Sequence, residues 1–281
     1  MNSIEKQETT ENTRPTPKNG KMLGSFLAIT FGLTWGLAIL FFMIPDFFTN
    51  LFGEISLSNP IIILAIYAPG IAGVLLVLRY YGLKGFGRFL KRLTLWRAPL
   101  SWWAFMVLGI PAVVFLGAAI KGTLNTAFAF SPWTLAIPAI GHALILGPLE
   151  EFGWRGFALP LLQRKFAPIW AGLILGVIWA LWHVPSLFMS GLPQSSWDVI
   201  PYFLGIIAIC VILTALFNDS RGSLLISVIY HFQMMNPLWP DAQPYDNFLF
   251  VLLAFVVVII NRKKMFTKQG SITEIIYAVE K

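Results

Sequence analysis

The sequence predicts an all-α polytopic membrane helix bundle, with about eight transmembrane helices and one interfacial amphipathic helix. Three observations carry that prediction. Hydrophobic residues make up 57% of the 281 residues and charged residues only 12%, against roughly 25% charged in soluble domains. The apolar residues gather in runs close to the ~20 residues that cross a hydrocarbon layer as a helix. The cations behind the net charge of +7 lie between those runs, on one alternating set of loops.

The chain begins with a polar arm, residues 1–21, MNSIEKQETTENTRPTPKNGK, too polar to build a core and expected to be disordered. It has no early apolar stretch or A-x-A-like cleavage site, so the first span is expected to stay as an anchor. The spans read as 22–44, 60–78, 101–120, 134–157, 168–188, 199–217, 223–239 and 247–261, the last two short. Between the second and third, LKGFGRFLKRLTLWR sets Leu83, Phe86, Phe89, Leu90 and Leu93 at helical spacing opposite Lys84, Arg88, Lys91 and Arg92. That is the pattern of a helix lying on anionic lipid. Residues 262–281 read as a cytoplasmic tail. The bundle, 22–261, is one unit with its motifs in 134–239, and it lacks the internal repeat common in transporters. Its single cysteine, Cys210, cannot form an intramolecular disulfide.

Loop charge sets the orientation. With both termini cytoplasmic, the inside loops hold Arg79, Lys84, Arg88, Lys91, Arg92, Arg97, Arg164, Lys165, Arg221 and the basic tail, and the outside loops only Lys121. This is the positive-inside pattern of a multi-pass protein, with the cell membrane the expected location. It also accounts for the basic charge without a nucleic-acid partner. Trp102, Trp103, Trp133, Trp170 and Trp197 near span ends read as interfacial belts.

The stretch LEEFGWRGF, 149–157, is where charge enters a span. Each charge at that depth costs about 2.5–3.5 kcal/mol, so it usually marks function. Glu151 and Arg155 stand four apart and can neutralise each other as an ion pair, which leaves Glu150. His142, His183 and His231 all fall in apolar spans. If the fourth and fifth spans form a hairpin about QRKFAP, Glu150 and His183 lie at matching depth, roughly 22–25 Å of helix from the turn. His231 sits roughly 15 Å from the same side. A carboxylate and an imidazole can activate water against an amide carbonyl while a second imidazole stabilises the oxyanion. The same three side chains also match a catalytic zinc set with an open position. There is no H-E-x-x-H or G-x-S-x-G motif, and Cys210 has no neighbouring His or charge. His142 is expected to be a packing residue.

EEFGWR (150–155), WALWH (179–183) and GSLLISVIYH (222–231) resemble the successive motifs of the CAAX-protease and bacteriocin-processing family of intramembrane proteases, also called the Abi family. The resemblance implies a membrane endopeptidase acting on a membrane-anchored peptide or lipidated protein. Glu150 and His183 would activate water, His231 with a following Asn would form the oxyanion site, and Glu151 and Arg155 would support them. Two positions depart from the family pattern. Trp179 stands where Phe is usual and is expected to keep its packing role. Met235 stands where Asn or Asp is usual, with Asn236 one residue further on. On a continuous helix Asn236 would face about 140° away from His231, but Pro237 biases it out of helical geometry and could let its amide turn back, with Gln233 a weaker substitute. Alternative readings are a non-catalytic membrane factor of the same fold, for immunity or scaffolding, and a proton-coupled transporter.

Overall fold

A computed structural model describes residues 19–126 and 130–277. The protein is an all-α integral membrane protein, and among the described residues there is no strand. Six helical segments are long and apolar enough to cross a bilayer: Asn19–Met43 (α1), Pro60–Thr94, Leu100–Lys121 (α4), Trp133–Gln163 (α5), Pro168–Phe188 (α6) and Val199–Asp219 (α7). The two short spans are shorter helices, Leu224–Met234 (α8) and Tyr245–Ile260 (α9). Pro45–Phe52 (α2) is a helix in the loop after α1 that the sequence reading did not anticipate. Of the polar arm, residues 1–18 lie outside the described residues, and residues 19–21 open α1.

Local chemistry starts and stops these helices. Pro60–Leu90 (α3) begins at Asn59, whose Oδ1 accepts the Ile61 N–H at 2.9 Å, with Pro60 at the first position. Ser223 caps α8 by accepting the Ile226 N–H at 3.0 Å. Helix α3 breaks at Gly82, where φ is 64°, a backbone region that glycine enters without steric cost. The segment beyond that break is helical as expected, with one correction, at Arg92. Leu83 is 81% exposed on the surface of the bundle, not packed into it as Phe89 is. Arg92 is buried at 2% instead of reaching headgroups. Its guanidinium donates to the carbonyls of Gly222 at 2.8 Å, Ile275 at 3.0 Å and Gly156 at 3.3 Å.

Helix α7 is the most buried span. Helix α6 packs on it through Gly172 and Gly176: a Cβ on Gly176 would lie 2.9 Å from the Ile207 Cα. This close approach of small residues is how helices associate where lipid removes the hydrophobic drive. Large apolar side chains such as Leu40, Leu108, Ile137 and Phe255 point outward, as lipid contact requires.

The two ends of the bundle differ. At the basic end the tail folds back as a strap. Gln163 donates to the Ile272 carbonyl at 2.9 Å, Arg164 to the Thr273 carbonyl at 2.9 Å, and Ile275 is fully buried. The opposite end consists of α2 and the loops after α6 and α8, packed closely enough that a Cβ on Gly191 would clash with the Ile55 carbonyl.

Candidate active site

The motif helix α5 is not a regular helix. Pro148–Glu150 form a 3-10 turn, Glu151–Gly153 an α-helical turn and Trp154–Ala158 a π-helical turn. Proline at 148 removes an N–H from the ladder, and π-turns within helices frequently occur at functional sites. Two glycines of α3 let this segment approach backbone to backbone. A Cβ on Gly70 would lie 2.6 Å from the Leu149 carbonyl oxygen, and one on Gly73 2.8 Å from that of Phe152. From the other side, a Cβ on Gly153 would lie 2.1 Å from the Pro69 carbonyl oxygen.

Glu150 is 4% exposed and Glu151 and Arg155 are fully buried. The expected ion pair is present, Arg155 Nη1 to Glu151 Oε1 at 3.0 Å. The same Glu151 oxygen lies 2.7 Å from His231 Nδ1, so Glu151 joins the first motif to the third. A carboxylate accepts, so His231 Nδ1 carries the proton, and Nε2 is the nitrogen left for chemistry.

Glu150 is held differently. Its Oε2 accepts the indole N–H groups of Trp154 and Trp179, each at 3.1 Å. Trp179 therefore does more than pack, because a phenylalanine at this position would have no hydrogen to donate. Its ring lies 4.8 Å from the Arg155 guanidinium carbon, within cation–π range, and its centroid is 5.6 Å from that of His183 and 5.4 Å from that of His231. His183 Nδ1 lies 2.8 Å from the Trp179 carbonyl oxygen. That oxygen only accepts, so Nδ1 is protonated and Nε2 presents a lone pair.

Glu150, His183, His231, Trp179, Gln233 and Asn236 all line one cavity of about 460 Å³. The expected hairpin exists, with α5 ending at Gln163 and α6 starting at Pro168, and Trp179 bonds to both Glu150 and His183. His142 and Cys210 do not line the cavity. Helix α8 stops at Met234, as Pro237 suggested, and Asn236 reaches the wall. Its amide is engaged locally, however. Oδ1 accepts the Leu238 N–H at 3.1 Å and Nδ2 points at Gln233 Oε1 at 3.4 Å. The Met235 sulfur and the His231 ring both lie against Gly147. A Cβ on Gly147 would lie 2.0 Å from the Met235 sulfur and 3.0 Å from His231 Nε2. Gln233 donates to the Met106 carbonyl at 3.1 Å.

The zinc set does not fit this arrangement. Among the described residues no group of three His, Cys, Asp or Glu side chains is placed to hold a metal ion.

Comparison with known proteins agrees with the motif resemblance. Residues 131–235 match the model of a family described as type II CAAX prenyl endopeptidase Rce1-like. The protein named CAAX prenyl protease 2 from Methanococcus maripaludis is 28% identical over 176 residues, which are 59% of this chain and 63% of that protein. The chain thus spans less than two thirds of that relative's length.

Proposed function

We propose, from the match of residues 131–235 to the Rce1-like family model and the motifs that match contains, that the chain is an intramembrane endopeptidase of the CAAX-protease type. Its substrate would be a membrane-anchored or lipidated peptide, cut by a water that Glu150 and His183 activate. The observation that carries this reading is the two-indole grip on Glu150 Oε2. It fixes one carboxylate oxygen inside the apolar bundle and leaves the other to take a proton from water. His183 Nε2, with its lone pair, is the second acceptor at the same cavity wall. A general base so placed contributes about 10²–10⁴-fold.

His231 supplies the oxyanion donor. With Nδ1–H committed to Glu151, it donates from Nε2 only as imidazolium, which then shares the one Glu151 carboxylate with Arg155. Asn236 stands at the cavity wall but has its amide tied to Leu238 and Gln233, so it serves the oxyanion only after those bonds exchange. Met235 adds no donor. Oxyanion stabilisation here is therefore thinner than the two-donor arrangement the family pattern implies.

The test is hydrolysis of a prenylated, membrane-anchored peptide by the purified full-length protein in lipid. Glu150→Ala and His183→Ala are expected to abolish cleavage and His142→Ala to leave it intact. The competing reading, a non-catalytic factor of the same fold, rests on Met235. A protective phenotype that survives Glu150→Ala, together with no cleavage by the intact protein, would establish it instead.

A further inference from the structure

The cavity that holds Glu150 is not symmetric between the two ends of the bundle. Its lining runs from Glu150 and His231 through Thr34, Ala38 and Ile62 to Gly53, Ile55, Gln194, Trp197 and Asp241. All the loops in that lining are the ones after α1, α6 and α8. None of its residues comes from the basic loops or from the strap at the other end. Gly53 and Asp241 are exposed at its rim, whereas at the basic end Arg92, Gln163, Asn218 and Ile275 interlock across the floor.

Charge orients this opening. Basic loops stay on the cytoplasmic side of a membrane, and every described cation outside the spans except Lys121 lies at the end away from the cavity mouth. The mouth end carries Asp46, Glu54, Asp198, Asp241 and Asp246. Its one cation, Lys121, is paired to Asp241 at 2.8 Å. Above the site the walls are apolar: Phe41, Phe48, Ile55, Leu57, Met189 and Leu192.

We propose that the site takes its substrate from the membrane face opposite the basic loops, as an apolar or lipid-bearing peptide segment flanked by basic residues. The apolar walls accept the anchor. The net acidic charge of the mouth end, where Asp241 and Asp246 line the cavity and Asp46, Glu54 and Asp198 lie outside it, attracts the flanks, so the scissile bond descends to Glu150 from the non-cytoplasmic side. What happens at the bottom rests on the hydrolytic reading above, but the accessible face does not.

Two arms separate these claims. In right-side-out membrane vesicles containing the full chain, Ser196→Cys at the mouth is expected to react with an impermeant maleimide. Lys165→Cys at the basic end is expected to react only after the membrane is opened, and the native Cys210 stays silent because it is buried. Labelling of Lys165→Cys but not Ser196→Cys in closed vesicles would overturn the proposal. In the second arm the protein is reconstituted in phosphatidylcholine and phosphatidylglycerol liposomes whose orientation the same labelling establishes. It is then offered an acylated peptide with lysine or glutamate flanks on either face. Cleavage is expected only from the mouth face, with kcat/KM about ten-fold or more in favour of lysine flanks and the preference shrinking as salt rises. Cleavage only from the basic face overturns the proposal, and equal rates for the two flanks overturn its charge component. No cleavage from either face, with Ser196→Cys still labelled, removes the hydrolytic reading and leaves the accessible face standing.

Discussion

Phenylalanine and tryptophan both fill an aromatic slot, but only tryptophan has an N–H, and at position 179 that N–H ends on Glu150. Hydrogen bonds to charged groups contribute about 1.5–3 kcal/mol. Trp179→Phe, which keeps the ring and loses the donor, is therefore expected to lower kcat by about ten- to a hundred-fold. KM should stay near that of the intact protein, while the unfolding temperature falls modestly with the lost bond. An unchanged kcat, read by steady-state hydrolysis, would reduce Trp179 to packing. Arg155 is a different kind of residue, buried beneath the site with its charge matched by Glu151. Arg155→Met leaves Glu151 facing His231 alone, and removing one partner of a buried pair costs about 3–5 kcal/mol. Unfolding in detergent should show that loss, with part of it recovered in the double variant with Glu151→Gln. The pairing of Glu151 with Arg155 was legible in their four-residue spacing. The bond from Glu151 to His231 was not, because it joins residues 80 apart in sequence. Nor was the Trp179 donor, since a sequence gives a side chain's volume more readily than the direction of its N–H.

At the scale of elements, the crossing of α3 with α5 sets where Glu150 sits. Gly70, Gly73 and Gly153 bring the backbones within contact that a methyl would fill. Gly153→Ala forces the two helices apart, and overpacking of this kind costs about 1–3 kcal/mol. The expected result is a lower unfolding temperature and loss of hydrolysis together, since the indole grip on Glu150 sits one turn away. Retention of both in a thermal melt and a cleavage assay would show that the crossing is slack. The long spans were legible from apolar run length, and the α5–α6 hairpin from the cations and Pro168 at its turn. The breaks inside α5 were less so. Its π-helical turn ends with the Leu159 N–H on the Trp154 carbonyl, just before Pro160, and the apolar run length did not disclose it. Helix α2 was missed because its eight residues are shorter than any span and follow directly on one.

For the molecule as a whole, the organising feature is an apolar bundle closed at the basic end and hollow toward the acidic one. Arg92 and the strap make the closure. The sequence offered Arg92 to lipid because helical spacing put it on the charged face, whereas three backbone carbonyls supply its partners. Arg92→Met is expected to free the strap, visible as faster proteolysis within residues 266–277 and a stability loss of at least about 3 kcal/mol. On the proposed hydrolytic reading, the hollow would admit water to a carboxylate that would otherwise face acyl chains. The proposed water-activating role of Glu150 is most directly tested by kcat for Glu150→Gln in the reconstituted protein. The amide keeps an oxygen for both indoles but cannot take the proton from water. The account predicts a fall of about 10²–10⁴-fold with the unfolding temperature unchanged, whereas a Glu150→Gln protein that hydrolyses at the rate of the intact one would contradict it.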